Sequence, residues 1–209
     1  MKDNIVKKTK DRYLEYEKRH QTILDAAITL FNKRGYAATT TATIARNAKV
    51  TEKTMYRHFK NKKDLYNECI NSVVSLVAQT WQEEIENNKD DPLGYLKGLI
   101  NAYVRFVIDH PDKSMFLVHL YSYRDKEELD DRFSLFLNLM IDETEKTISR
   151  LRQKGILNKG FFPDIHPRML AGLFISQYFS MIFLNEFLPK ELFNADTAVN
   201  LVKELIGVD

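Results

Sequence analysis

Apolar residues recur at helical spacing from the first third of the chain onward. Ile23, Ala26, Ala27, Leu30 and Phe31 follow i, i+3, i+4, i+7 and i+8, one face of a helix, and Gly35 ends the run. Leu65, Ile70, Val73, Val74, Val77, Trp81 and Ile85 mark a long helix reaching to about Asn87. Asp91-Pro92 then reads as N-cap and first position of another, which carries Leu96, Leu99, Ile100, Tyr103 and Val107 before Pro111. A short apolar helix follows near 113–122. Leu129, Phe133, Phe136, Met140, Ile148 and Leu151 define the next, which Gly155 terminates. Pro167 opens another, and a last helix spans roughly 196–206 with Gly207 behind it. No alternating strand run, tandem repeat or low-complexity tract interrupts this pattern, so the predicted class is all-α.

Between the first two long helices the pattern shortens. Thr39-Thr40-Thr41 offers caps for a short helix carrying Ile44, Ala45 and Ala48. A three-residue break follows, and a second short helix starts at Thr51, whose hydroxyl can cap its free N–H groups. Small Ala45 and Ala48 let two helices cross closely, while Val50, Met55 and Phe59 supply an inward face. This is the layout of a helix-turn-helix whose second helix enters the major groove of DNA. Thr51, Lys53, Thr54, Tyr56, Arg57 and His58 are left on or near the outer side, where hydroxyls, a phenol and cations reach phosphate and base-edge oxygens.

Composition first argues against this reading and then for it. The 209 residues carry a net charge of only +2, at 44% hydrophobic and 29% charged. That is an ordinary globular composition with chain enough for a core. The near-neutral total hides a division. Residues 1–64 hold 16 Lys and Arg against 7 Asp and Glu, a balance of +9, whereas residues 65–209 hold 15 against 22, a balance of −7. Chance clustering on a solvated surface is the plain alternative to a module that meets a polyanion. Seven of the basic residues fall in the first 19, mixed with four acids. That arm is either a flexible phosphate-binding tail or an extension of the first helix. Cys69 is the single cysteine, so no intrachain disulfide or multi-thiolate metal site forms. On its apolar helix it reads as a buried small hydrophobe rather than a redox sensor. The five histidines show no metal-ligand pairing, and neither a metal nor a cofactor is expected. The first residues have no apolar signal core, which points to a cytoplasmic protein.

Residues 21–65 closely resemble the TetR family of transcriptional regulators. The likeness includes Gln21-Thr22-Ile23-Leu24-Asp25-Ala26-Ala27 through Leu30-Phe31 and Arg34-Gly35-Tyr36. It continues through Thr54-Met55-Tyr56-Arg57-His58-Phe59-Lys60-Asn61-Lys62-Lys63-Asp64-Leu65, like the family's Thr-x-Tyr-x-His-Phe-x-x-Lys-x-x-Leu signature. The resemblance covers about 50 of the 209 residues. It implies operator contacts at Thr41, Thr51, Lys53, Thr54, Tyr56, His58 and Lys62, with Tyr56, His58 and Lys62 mostly on phosphates. His58 beside an aromatic would otherwise read as structural. Lys49 stands where the family commonly has glycine in the turn. A left-handed backbone there would cost a non-glycine residue about 1 kcal/mol. Glu52 lies at the DNA-facing end, either accepting from a cytosine amino group or favoured by the helix N-terminus.

The resemblance further implies an N-terminal DNA-binding domain over 1–66 and a larger helical domain over 67–209 that dimerises and binds a small molecule. Seventeen of the 24 aromatics lie beyond residue 66. Each alone reads as core, but together they permit an apolar pocket, with Trp81, Tyr103, Phe106, Phe116, His119, Tyr123, Phe174, Gln177 and Tyr178 as candidate lining. Residues 169–184 are apolar on nearly every side yet shorter than the ~20 residues of a membrane span, so membrane insertion is not expected. Gly172, Ser176 and Ser180 form a small-residue stripe, and with Phe183 they are the candidate homodimer surface. The expected function is a repressor released from palindromic operator DNA by a small hydrophobic effector. A ligand-independent regulator or an activator is the alternative. An all-α enzyme is remote, because no nucleophile motif, phosphate loop or carboxylate–histidine constellation is present.

Overall fold

The computed structural model describes residues 2–88, 91–122, 131–155, 166–169, 171, 172 and 176. Among these residues the protein is helical, with no strand. The helices are α1 (Lys2–Ala38), α2 (Thr41–Asn47), α3 (Glu52–His58), α4 (Lys62–Asn88), α5 (Pro92–Asp109), α6 (Pro111–Ser122) and α7 (Asp131–Gln153). The N-terminal arm is therefore an extension of the first helix. The final helix expected at 196–206 lies outside the described residues. None of the described helices is long and apolar enough to cross a membrane.

The chain divides into two compact units, residues 1–72 and 73–209. The division falls within α4, where Leu65, Cys69 and Ile70 are fully buried in the first unit.

The first unit is built on the apolar stripe of α1. Ile23, Leu24, Ala27, Ile28 and Phe31 are buried with Ile44 of α2, Met55 of α3, Phe59, and Leu65 and Ile70 of α4. Burial of each large side chain contributes about 1.5–3 kcal/mol. Gly35 breaks α1 with φ 73° and ψ 167°, a conformation open essentially to glycine alone. The buried Thr39 hydroxyl bonds the Leu30 and Gly35 carbonyls at that break. Carbonyls that the helix end leaves unpaired are thus satisfied.

In the second unit the same apolar pattern closes a separate core. Val73, Val77 and Trp81 of α4, Leu99, Ala102 and Phe106 of α5, Phe116, Leu117 and Leu120 of α6, and Met140, Ile148 and Leu151 of α7 are buried. Asp91 accepts the Tyr95 N–H through its backbone carbonyl ahead of α5, consistent with a helix entry at Asp91-Pro92. Gly155 ends the α7 region at φ 70°, its N–H donating to the Arg152 carbonyl. Arg168 bridges Asp142 and Glu145 of α7.

Candidate nucleic-acid interface

Threonines cap both short helices. Thr40 caps α2 in a reciprocal box, its hydroxyl accepting the Thr43 N–H while the Thr43 hydroxyl accepts the Thr40 N–H. Thr51 caps α3 by accepting the Thr54 N–H at 3.1 Å, and the two hydroxyls meet at 2.9 Å. Between the helices Lys49 takes φ 56°, a left-handed conformation. The Val50 N–H reaches back to the Ala45 carbonyl at 2.9 Å.

Met55 and Phe59 anchor α3 to the core. The remaining side chains turn outward. Thr51, Glu52, Lys53, Tyr56 and Arg57 are exposed, and Thr54 is half-buried. Lys53, Thr54, Tyr56 and Arg57 line an open depression of about 530 Å³. Thr41 of α2 joins them, its hydroxyl 3.1 Å from the Tyr56 hydroxyl. Six of the eight expected contact residues therefore lie together on α3 and the start of α2. Glu52 sits in the first turn of α3, where the helix N-terminus favours a negative charge.

The other two, Lys62 and His58, also make contacts within the protein. Lys62 points inward: its Nζ donates to the Tyr36 carbonyl at 2.9 Å and the Thr39 carbonyl at 3.1 Å, and lies 4.2 Å from the Tyr36 ring centroid. One of its three N–H donors is left for a phosphate. His58, the last residue of α3, is half-buried and stacks on Tyr16 of α1, with ring centroids 4.1 Å apart and planes at 24°. Both of its ring nitrogens are covered and make no hydrogen bond within the protein. Burial lowers its pKa from 6.5, and His20, Arg57 and Arg19 push the same way against Glu17. Tyr16 and His20 were missed by the sequence reading. Their i, i+4 spacing in line with Ile23 and Leu24 is the signal that could have found them.

Of the pocket candidates, Trp81, Phe106 and Phe116 lie in the core of the second unit. His119 is half-buried, and burial lowers its pKa. The backbone of Tyr103 lies in α5, but its side chain is outside the described residues, as are Tyr123, Phe174, Gln177 and Tyr178. Of the dimer candidates, Gly172 is half-buried and Ser176 exposed, while Ser180 and Phe183 lie outside. No group of three or more His, Cys, Asp or Glu side chains that could hold a metal occurs among the described residues.

Residues 23–69 match the family described as "Bacterial regulatory proteins, tetR family". Residues 23–69 are a TetR-family DNA-binding module. It is similar to the HTH-type transcriptional regulator AcrR of Shigella flexneri, 33% identical over 96 residues that make up 46% of this chain and 43% of that one. The chain thus spans less than half the length of that curated relative. NalD, the secondary repressor of the MexAB-OprM multidrug efflux pump in Pseudomonas aeruginosa, is 27% identical over 92% of this chain and 96% of its own, with a TM-score of 0.65. AibR, solved with isovaleryl coenzyme A and operator DNA, superposes with a TM-score of 0.71 at 20% identity, over 91% of this chain and 100% of that one. In the TetR family the signature from Thr54 to Leu65 belongs to the DNA-binding domain, the part of this chain where the exposed hydroxyls and cations gather.

Proposed function

We propose that this protein is a homodimeric transcriptional regulator of the cytoplasm that represses by binding a palindromic operator and is released by a small hydrophobic effector. The observation that carries the reading is α3 itself. It is capped by Thr51 and pinned by Met55 and Phe59, and it presents Lys53, Tyr56 and Arg57 outward beside Thr41. Hydroxyls, a phenol and cations on one rigid face suit phosphates and base edges alike. Two such helices related by a two-fold axis reach successive major grooves when they stand about 34–36 Å apart. A ligand held by the second unit would favour a conformer in which that spacing is lost, and its effect is limited by how much better it binds that conformer. The AibR structure, solved with a small molecule and operator DNA, supports binding of both kinds of partner by this fold.

Footprinting on the DNA flanking the coding region tests the proposal. Two protected half-sites with dyad symmetry are expected, and uniform protection without a dyad would defeat it. Mass spectrometry of the native protein should reveal a co-purifying apolar compound whose addition weakens DNA binding. An effect on neither affinity nor melting temperature across extracted metabolites would favour a ligand-independent regulator.

A further inference from the structure

Helix α1 extends well beyond what the core requires. From residue 10 onward Ile23 is the first fully buried side chain of α1, and residues 10–19 are exposed. Within that exposed stretch Arg12, Tyr16 and Arg19 stand at i, i+4 and i+7 and so share one face. Tyr16 fixes where this face looks, because its ring stacks on His58 at the C-terminal end of α3. The strip thus abuts the helix assigned to the major groove.

Electrostatics agree with this placement. Arg19 from α1 and Arg57 from α3, together with His20, all act against protonation of His58, so their charges converge on the same junction. Arg12, Arg19 and Arg57 form no ion pair with any described residue. Guanidinium groups from two helices thus act on one imidazole, with Glu17 as the opposing charge, and each keeps its donors for an external anion. The His58 ring nitrogens at that junction lack any partner within the protein.

We propose that the Arg12–Tyr16–Arg19 strip is a second DNA-backbone contact, binding phosphates that flank the groove segment entered by α3. The inference rests on the helix-turn-helix reading and extends it. Guanidinium forks match phosphate oxygens two at a time, and the Tyr16 hydroxyl adds a donor between them. Duplex DNA is the occupant because the strip is continuous with the exposed cations of α3, and because residues 1–64 carry the +9 balance while the rest of the chain is acidic. The contact gives affinity and register; it reads no bases.

The test uses the full chain and a duplex selected by the wild-type protein from a randomised pool. The double variant Arg12→Gln, Arg19→Gln keeps side-chain length and helix propensity. Its dependence of affinity on salt should be shallower by about 2 in the log–log slope, since each phosphate contact supplies about 0.9. Hydroxyl-radical protection should shrink at the outer edges of the footprint, with the ranking of base-substituted duplexes unchanged. An unchanged slope and footprint beside normal wild-type binding would overturn the strip and leave the α3 interface standing. If the wild type selects no duplex and binds no mixed-sequence DNA, both fall together.

Discussion

Lys49 holds a left-handed backbone in a turn that glycine would occupy without strain. Replacing it, Lys49→Gly, should raise the unfolding free energy by about 0.5–1 kcal/mol in denaturant titration. A loss of stability would mean that the lysine side chain contributes more than its backbone costs. Lys62 makes the opposite case. Its ammonium caps the carbonyls of Tyr36 and Thr39 and covers the Tyr36 ring. Charge-assisted bonds at a half-buried site contribute about 1.5–3 kcal/mol, so Lys62→Met should destabilise by that order even without DNA. A variant that melts like wild type would show the cap to be dispensable. The signature placed Lys62 at the right position, but its donors could not be assigned from sequence. Their acceptors lie 23 and 26 residues away, and only the break at Gly35 brings them within reach.

At the scale of elements, Gly35 decides where α1 breaks. Its φ of 73° and ψ of 167° belong to a region closed to side chains, although a Cβ there would meet nothing within 4 Å. Gly35→Ala should therefore cost about 1–3 kcal/mol through the backbone alone, and an unchanged thermal midpoint would contradict that cause. The packing of α1 on α3 carries a pH dependence. Burial and the cations around it hold the His58 pKa in the folded protein below its ordinary value near 6.5. The unfolded chain then takes up the proton first as pH falls. This contribution is complete above about pH 6.5 and is lost as the pH drops through the lowered value. Melting temperatures recorded from neutral to acidic pH should fall more steeply for wild type than for His58→Phe. Parallel curves would remove His58 from the account. The described helices were legible in the sequence: Thr51 and Asp91-Pro92 stand at helix starts, Gly155 lies just past the end of α7, and Gly35 marks the break in α1. The Tyr16–His58 stack was not, because it joins residues 42 positions apart, which no helical periodicity relates.

For the whole molecule, charge is the quantity that matters most. A net +2 is the sum of a basic third, the part proposed to read DNA, and an acidic remainder. Affinity for DNA should accordingly fall steeply with salt despite the near-neutral total, and Lys53→Ala should flatten that dependence by about 1 if its ammonium sits on a phosphate. An insensitive slope would place Lys53 on a base edge or off the DNA.

Periodicity, caps and local charge are properties of neighbours along the chain, so the sequence by itself determined the helical class, the two short helices and the outward set on α3. Those features need only backbone geometry and residues within a turn or two of one another. The tertiary structure decided which donors remain free. It turned Lys62 toward the end of α1, packed His58 under Tyr16, and set Arg19 and Arg57 to act on the same imidazole. Each of these depends on the packing of helices distant in sequence, and that packing is set by burial of a shared core rather than by any local signal.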